Sequence, residues 1–154
     1  MEETMKLSTK GRYGLRALID LAVHSEEDPV SISSIAARQN ISERYLEQLV
    51  GKLKKAGIVK SIRGAQGGYQ LAKSADEISV GDILRVLEGS LEAVECPGLK
   101  AEQGCEEADF CVTKYVWQKI NESITNAVDQ ISLNQLVAES KKVKHQTKNR
   151  NCGG

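Results

Sequence analysis

Three cysteines lie within one polar stretch of the chain, which reads C-P-G-L-K-A-E-Q-G-C-E-E-A-D-F-C from Cys96 through Cys105 to Cys111. The proline and two glycines in this stretch predict a loop rather than a core strand or helix. Free cysteine is usually buried, so thiols on a polar loop indicate ligands or reactive groups. The spacing C-x8-C-x5-C favours an iron–sulfur cluster, which accepts thiolates at varied spacings and tolerates a non-cysteine fourth ligand.

Three other interpretations of these cysteines stay open. Structural zinc usually takes four ligands and favours close C-x2-C pairs, which this stretch lacks. Disulfides need an oxidising compartment and would leave one of the three thiols unpaired. The thiols could also be incidental. A fourth cysteine, Cys152, lies in a basic C-terminal stretch and is interpreted as a spectator.

The composition predicts either one domain of ordinary size or a small domain with an oligomerising extension. The chain has 154 residues, of which 40% are hydrophobic and 27% charged, a composition typical of globular proteins in water. No apolar run approaches the roughly 20 residues of a membrane helix, and the N-terminus has no signal-peptide core. We therefore expect a cytoplasmic protein without a membrane partner, in which thiols stay reduced.

The net charge of zero conceals a strong asymmetry along the chain. Residues 1–73 carry 12 Lys+Arg against 8 Asp+Glu, residues 74–140 carry 4 against 13, and residues 141–154 carry 5 against none. A basic N-terminal half suggests a surface for a polyanion such as DNA. A merely solvated face is the alternative.

The N-terminal half has the pattern of a three-helix DNA-binding unit. Apolar residues recur at helical spacing within residues 8–25, namely Leu15, Leu18, Ile19, Ala22 and Val23. The start of this helix carries three basic residues, Lys10, Arg12 and Arg16. Positive charge at a helix N-terminus is unfavourable because it opposes the helix dipole, so a nearby anion from elsewhere would offset this repulsion. Two shorter helices separated by Asn40 follow.

The second of these short helices is the candidate recognition helix. Ser42 can cap its start, Gly57 can end it, and an inward stripe comprises Leu46, Leu49, Val50 and Leu53. A helix-turn-helix places the N-terminal residues of its second helix against base edges in the major groove. Suitable donors and acceptors there are Ser42, Arg44, Tyr45 and Gln48. An ordinary helical hairpin with a polar face is the alternative.

A β-hairpin directly after this helix predicts a wing. Residues 58–62 and 69–71 read as two strands, with Arg63-Gly-Ala-Gln-Gly-Gly68 as the tip between them. The candidate DNA contacts at the tip are Arg63, Gly64, Gln66 and Gly67. Glycines let the backbone approach phosphates, and an arginine can enter the minor groove. The glycines lack the strand–loop–helix order and G-K-[ST] of a nucleotide-binding P-loop.

The C-terminal half combines the cysteine segment with a long amphipathic helix. A helix over residues 79–88 precedes the cysteines, and a longer one follows Cys111 to about Asp129. Its apolar seam is Trp117, Ile120, Ile124, Ala127 and Ile131, at steps that suit a dimer of crossed helices; a helix packed in a monomer core is the alternative. The predicted organisation is a DNA-binding domain over 5–90, a cysteine loop over 91–111, a dimerisation helix and a short C-terminal helix over 112–140, and a disordered basic tail over 141–154.

Several motifs resemble one family of bacterial regulators. They are Lys10-Gly-Arg-Tyr-Gly-Leu-Arg-Ala17, Ile41-Ser-Glu-Arg-Tyr-Leu-Glu-Gln-Leu49, Arg63-Gly-Ala-Gln-Gly-Gly-Tyr-Gln-Leu71 and the cysteine segment running into Cys111-Val-Thr-Lys-Tyr-Val-Trp117. With them the chain resembles the IscR/NsrR/CymR family of winged-helix transcription regulators, from Met5 to about Ser140. The resemblance implies a mainly α fold with a β-hairpin wing, a homodimer, a double-stranded DNA operator and no small-molecule substrate. It also places Glu47 where an IscR glutamate discriminates between promoter classes.

The resemblance further implies that Cys96, Cys105 and Cys111 are the three thiolate ligands of a cluster. CymR-type relatives lack this trio, which argues against a repressor regulated purely by another protein. By similarity to IscR, a [2Fe–2S] cluster is favoured over [4Fe–4S]. Lys114 stands where IscR-type proteins supply a histidine ligand, and a protonated lysine has no lone pair to give iron. Arg12 stands where NsrR-type proteins offer an acidic residue from the partner subunit.

The function predicted from these features is cluster-sensing transcription regulation, most simply of iron–sulfur biogenesis genes, by a repressor of this type. A nitric-oxide or redox sensor of the same fold is the first alternative, and an iron–sulfur carrier or scaffold is the second. We expect no enzyme, because no nucleophile–base pair is visible. The two histidines, His24 and His145, lie far apart in the sequence.

Overall fold

Three helices build the N-terminal part of the computed structural model, which describes residues 8–92 and 108–151. They are α1 (Thr9–His24), α2 (Ile32–Gln39) and α3 (Glu43–Lys55). Ser8 caps α1 and Ser31 caps α2, each with a side-chain oxygen that accepts from a backbone N–H. The predicted first helix is confirmed to within one residue at each end.

The turn between α2 and α3 is set by two residues with local roles. Asn40 has a left-handed backbone conformation with φ of 54° and ends α2. Asparagine tolerates this conformation better than most residues, because its short polar side chain bonds locally. Ser42 then caps α3, accepting a hydrogen bond from the N–H of Tyr45 at 3.2 Å. Both the separation at Asn40 and the cap at Ser42 are confirmed.

A two-stranded hairpin follows α3, as predicted. Strands β1 (Val59–Ile62) and β2 (Gly68–Leu71) pair antiparallel, with Ile62 opposite Gly68 at the tip. Val30, which immediately precedes the cap of α2, also pairs with Tyr69 through hydrogen bonds of 2.9 and 2.8 Å. The wing is therefore bound by backbone hydrogen bonds to the same segment that leads into the helix-turn-helix.

A short 3-10 helix (Ala75–Glu77) and three further α-helices complete the described chain: α4 (Val80–Glu88), α5 (Ala108–Asp129) and α6 (Leu133–Asn151). Ser79 and Asp82 form a reciprocal capping box at the start of α4. Ser79 and Ser132 form an antiparallel bridge, in which the N–H of Val80 donates to Ile131 and the N–H of Leu133 donates to Ile78, both at 2.8 Å. This bridge joins the start of α4 to the junction between α5 and α6.

One apolar core unites the helix-turn-helix, the wing, α4 and the start of α6. The inward residues of α3 are all buried, as predicted, and so are Ile83, Leu84 and Leu87 of α4. The largest fully buried side chains are Leu18, Ile35, Leu46, Leu49, Leu53, Ile78, Ile83 and Leu133. The first part of α6 thus belongs to the core, through Leu133 and Val137.

Two predicted boundaries in the C-terminal half differ from the structure. The long helix begins at Ala108, so it includes Cys111, which was predicted to end a loop. The tail predicted as disordered from Lys141 continues α6 to Asn151. Burial of Leu133 and Val137 anchors the start of that helix. Lysine and glutamine are good helix formers, so the helix can extend beyond its buried turns without further apolar contacts. Within the described ranges, no helix is both long and apolar enough to cross a membrane.

Candidate nucleic-acid interface and cysteine segment

The solvent face of α3 presents four of its five predicted DNA contacts. Ser42, Arg44, Glu47 and Gln48 are exposed on the first two turns of the helix, whereas Leu46 and Leu49 face the core. These side chains offer a hydroxyl, a guanidinium, a carboxylate and an amide, the groups that read base edges in the major groove. The structure therefore brings these predicted residues together on one accessible surface.

Tyr45 differs from its neighbours because it is half-buried against α1. Its hydroxyl shares a hydrogen bond with Oγ1 of Thr9 at 3.1 Å. Its ring meets the ring of Tyr13 edge to face, with centroids 6.2 Å apart, and Arg16 lies 5.4 Å from the Tyr13 centroid on the ring face. Such contacts hold α3 against α1. The side chain of Tyr45 therefore packs between the two helices and is only partly accessible to solvent.

An ion-pair network anchors α2 against α1 behind this surface. Arg38 donates to both carboxylate oxygens of Asp20, from Nε at 3.0 and 3.1 Å and from a terminal nitrogen at 2.7 Å. Gln39 donates to the same carboxylate at 2.8 Å. Burial opposes ionisation of Asp20, but the hydrogen bonds from Arg38 and Gln39 and the nearby positive charge outweigh it, so the pKa of Asp20 lies below its usual value.

The wing tip has the close backbone packing that its glycines permit. The N–H of Gly67 donates to the carbonyl of Gly64 at 3.0 Å, and Gly64 has φ of 122°, a conformation that side chains disfavour. A Cβ atom on Gly68 would lie 2.6 Å from the carbonyl oxygen of Val30. Arg63, Gly64 and Gln66 are exposed, and Gly67 is half-buried. The predicted tip residues therefore form one solvent-facing turn.

Exposed cations continue from α3 into the wing. They are Arg44, Lys52, Lys54, Lys55, Lys60 and Arg63, and all of them are exposed. Of the two acidic side chains of α3, Glu43 lies in the first turn, where negative charge suits the helix dipole. This surface therefore carries the positive charge that a phosphate backbone attracts.

Glu88 is a contact residue that the sequence did not single out. One of its carboxylate oxygens, Oε1, accepts from the N–H of Ser8 at 3.0 Å, the hydroxyl of Ser8 at 2.6 Å and the N–H of Gly11 at 2.9 Å. It is the anion expected at the crowded basic start of α1, and it comes from the end of α4 rather than from a ligand. A separation of 77 residues between Gly11 and Glu88 leaves no local pattern that would reveal this contact.

The cysteine segment is only partly within the described residues. Cys96, Cys105 and Cys152 lie outside them, and the backbone of Cys111 lies in the first turn of α5. A helix N-terminus favours thiolate over thiol. Lys114, one turn further on, is half-buried. Within the part of the chain that the structure describes, no group of three metal-binding side chains comes together.

The helix α5 has one half-buried and one exposed side. The half-buried side chains recur at helical spacing and are Lys114, Trp117, Ile120, Asn121, Ile124, Thr125 and Val128. Another stripe runs through Val112, Val116, Ile120, Ser123 and Ala127, in which Val112 is 68% and Val116 45% exposed. Tyr115 beside it is 63% exposed. Of the predicted seam residues, Ile131 follows the end of the helix, where its carbonyl accepts from Val80.

Comparison with known proteins gives a family match over most of the chain. Residues 7–139 match the Rrf2 family, described as an iron-dependent transcriptional regulator. The transcriptional regulator IscR of Pectobacterium carotovorum is 44% identical over 133 residues, which cover 86% of this chain and 79% of that protein. IscR of Aliivibrio salmonicida is 42% identical over 136 residues, which cover 88% and 79%.

Solved structures of similar sequence have the same fold. CymR, the global cysteine regulator of B. subtilis, superposes with a TM-score of 0.74 at 44% identity, covering 88% of this chain and 98% of that one. IscR of T. potens superposes with a TM-score of 0.72 at 45% identity, covering 90% of both chains. The winged-helix fold class is therefore confirmed.

Proposed function

The chain belongs to the Rrf2 family of transcriptional regulators, and we propose that it is a homodimeric regulator that senses iron–sulfur cluster status through Cys96, Cys105 and Cys111. Its relatives are DNA-binding regulators, not enzymes. The observation that carries the DNA-binding part is the exposed polar face of α3 beside a wing that is hydrogen-bonded to the lead-in of α2. We expect the protein to act in the cytoplasm on double-stranded operator DNA.

In the proposed complex, α3 enters the major groove. Arg44 can donate to guanine, Gln48 can pair with adenine, and Ser42 can bond either base or phosphate. Glu47 accepts from the amino group of cytosine and is repelled by base acceptors, so it rejects some sequences as well as favouring others. Exposure of these four side chains supports this assignment.

The wing supplies the second DNA contact of each DNA-binding domain, called a head below. Arg63 reaches the minor groove, and the glycine-rich tip, with Gly64, Gln66 and Gly67, follows the phosphate backbone. A narrow minor groove has an enhanced negative potential that attracts an inserted arginine. Because Val30 pairs with Tyr69, the wing and the helix-turn-helix approach DNA as one unit.

Two copies of the chain associate through α5 in this proposal. Val112, Val116 and Ala127 are exposed along one side of this helix, and Ile120 between them is half-buried; an apolar stripe of this kind is a typical helix–helix interface. This stripe shares Ile120 and Ala127 with the seam predicted from the sequence, whose other helical members, Trp117 and Ile124, lie on the half-buried side of the same helix. A dimer presents two heads to half-sites about one helical turn of DNA apart.

The donor set fits an iron–sulfur cluster, with three thiolates in one segment and Cys111 at a helix N-terminus. When bound, the cluster supplies a redox-sensitive and chemically labile group whose presence reports the state of cluster assembly. A protonated Lys114 cannot act as a ligand, so its positive charge beside Cys111 would instead favour the thiolate. We favour [2Fe–2S] over [4Fe–4S], and iron–sulfur biogenesis genes as targets.

A nitric-oxide or redox sensor of the same fold is the second candidate. It is favoured by Lys114, because a cluster without a nitrogen ligand at that position would be more open to attack than a fully ligated one. An iron–sulfur carrier or scaffold is disfavoured by the wing and by the exposed face of α3, which such a protein does not need.

Purification without air tests the proposal. The absorption and Mössbauer spectra of the wild-type protein should report a cluster and its type, and the triple Cys96→Ala, Cys105→Ala, Cys111→Ala protein should lack it. Selection of DNA from a random pool should yield a two-half-site operator. A protein with no cluster under these conditions, or with no sequence preference, would contradict the corresponding half of the proposal.

A further inference from the structure

Glu88 connects two places in the fold that are far apart in sequence. It is the last residue of α4, and Gly89, with φ of 87°, turns the chain out of the helix towards the cysteine segment. Its Oε1 atom holds three donors at the first turn of α1, two from Ser8 and one from Gly11. The end of α4 thus fixes where α1 begins.

The packing around this carboxylate is too close to be an incidental surface contact. A Cβ atom on Gly11 would lie 2.6 Å from Oε1 of Glu88 and 3.2 Å from Leu84. One turn later, a Cβ atom on Gly14 would overlap the side chain of Leu87. The two glycines therefore let α1 and α4 approach closely, and any shift of the end of α4 must move α1 or break these hydrogen bonds.

The first turn of α1 in turn touches the recognition helix. Thr9, next to Ser8, shares its hydroxyl hydrogen bond with Tyr45 in the first half of α3, and Tyr13 packs edge to face on Tyr45. Tyr45 lies between Arg44 and Glu47, which face solvent. A continuous set of contacts therefore runs from Glu88 through Ser8 and Thr9 to the base-reading part of α3.

We propose that Glu88 is a positioning residue for DNA recognition, which transmits the state of the cysteine segment to α3 through the start of α1. This inference rests on the proposed function, because it assumes that α3 reads DNA and that the cysteine segment has two states. In one state Glu88 holds α1 and α3 in the described register. In the other state these hydrogen bonds are lost, and the first turn of α1 no longer fixes the position of Tyr45 on α3.

The test compares operator selectivity, defined as the ratio of the dissociation constants for non-specific DNA and for the selected operator at one salt concentration. Glu88→Ala removes the acceptor of all three hydrogen bonds, and we expect selectivity to fall about tenfold, the loss that about 1.4 kcal/mol produces. Glu88→Gln keeps an acceptor oxygen and should retain selectivity within about threefold of wild type, as expected for loss of the charge alone.

Two further variants separate positioning from a general loss of stability. Thr9→Val removes the hydroxyl that bonds Tyr45 while it keeps the side-chain shape, and the double variant with Glu88→Ala should be no worse than Glu88→Ala alone, because both act on one route. Ser79→Ala removes the cap at the other end of α4. It should lower the melting temperature as much as Glu88→Ala does, but leave selectivity unchanged.

One more comparison tests whether the state of the cysteine segment reaches α3 through Glu88. The operator preference of wild-type protein should differ between the cluster-loaded form and the triple Cys→Ala form, and in the Glu88→Ala background this difference should shrink to within about twofold, since the coupling free energy is lost. Equal selectivity of Glu88→Ala and Ser79→Ala, additive effects of Glu88→Ala and Thr9→Val, or an undiminished cluster-dependent difference would each overturn the inference. A wild-type protein whose preference ignores its cysteines would overturn the proposed sensing function itself, and this inference with it.

Discussion

Arg38 and Asp20 form a forked ion pair, with a terminal guanidinium nitrogen 2.7 Å from Oδ1 and Nε 3.0 Å from Oδ2. The carboxylate is only 2% exposed and the guanidinium 35% exposed. The pair ties the last turn of α2 to the middle of α1, and Arg16 adds a bond to the carbonyl of Gln39 at 2.9 Å. The angle between the first two helices of the DNA-binding unit thus depends on one buried charge.

Asp20→Asn should therefore destabilise the protein. The substitution leaves Arg38 without its charged partner and places amide hydrogens against donors, so we expect a loss of about 2–3 kcal/mol in the free energy of unfolding. Urea denaturation at pH 7 measures it. Glu26→Gln, which removes an ion pair exposed on both sides with Lys141, is the matched control and should change stability by less than about 0.5 kcal/mol. Equal effects of the two variants would contradict the assignment.

The same pair predicts a pH dependence with a definite sign. The pKa of Asp20 is lower in the folded protein than its usual value near 3.9. The unfolded chain therefore takes up a proton first as pH falls, and the contribution of Asp20 to stability is full above about pH 5 and decreases below about pH 4. The stability difference between wild type and Asp20→Asn should be present at pH 5 and shrink as the pH falls below about 4. A difference that grows in acid would exclude this origin.

Arg63→Ala should weaken operator binding without unfolding the protein. A minor-groove or bidentate arginine contact is worth about 1–3 kcal/mol, which is roughly a 5- to 150-fold rise in dissociation constant. Fluorescence anisotropy with the selected operator, at one fixed salt concentration, measures it. Lys73→Ala removes an exposed cation at the far end of the hairpin and should have a smaller effect. Binding of Arg63→Ala at wild-type strength would remove the wing tip from the interface.

Val116→Asp should dissociate the dimer. The charge would lie in the exposed apolar stripe of α5, where a dimer interface leaves it desolvated and unpaired. Light scattering should report a monomer, and operator binding should fall with it, because two half-sites need two linked heads. Gln118→Asp, also exposed on α5 but outside the stripe, should stay dimeric. Dissociation by Ile124→Asp but not by Val116→Asp would favour the inner seam instead.

The triple Cys96→Ala, Cys105→Ala, Cys111→Ala protein should fold and dimerise, since neither the described core nor the α5 stripe includes these cysteines. We expect it to bind DNA with an altered operator preference, by a coupling free energy of about 1–3 kcal/mol between cluster and DNA. Parallel selections from a random pool with cluster-loaded and triple-variant protein measure the change. Identical selected sequences would leave the cysteines without a regulatory role.

Lys114→His tests the missing ligand. A neutral imidazole one helical turn after Cys111 offers the nitrogen lone pair that a protonated lysine lacks, so the cluster should survive longer in air. Decay of the cluster absorbance after exposure to air gives the rate, and Lys114→Gln, which removes the charge without adding a ligand nitrogen of this kind, is the control. Equal lifetimes in the two variants would show that position 114 is too far from the cluster.

What the sequence predicted well was local. Asn40 and Ser42 act within one or two residues of their own position, and the wing follows from glycines at a fixed place between two strands, so the helix-turn-helix and wing were predicted nearly residue by residue. The partner of the basic start of α1 was not, because Glu88 arrives from the end of a helix that packs only in three dimensions. Likewise, the position of Tyr45 on α3 predicts a DNA contact, but no local pattern reveals its hydrogen bond to Thr9, 36 residues away.

The C-terminal differences have a related cause. The dimer seam through Trp117, Ile124 and Ile131 follows heptad steps, which do not say which side of a helix its own domain covers, and it stays a prediction. The extent of α6 was underestimated because its tail lacks apolar periodicity, whereas its start is held by Leu133 in a core formed by distant segments. Contact between distant segments therefore anchors this helix.

The bridge between Ser79 and Ser132 fixes the C-terminal end of α5 to the start of α4. The ion pair of Arg85 with Asp129, at 2.7 Å, reinforces that end, and Val112 lies 17 residues away, or about 26 Å along the helix. Over this length, a displacement of about 2 Å at the N-terminal end of α5 corresponds to a rotation of the helix by only about 5° about its C-terminal end. In the proposed dimer, a movement beside Cys111 would therefore change by only a few degrees the angle at which each DNA-binding domain meets its half-site.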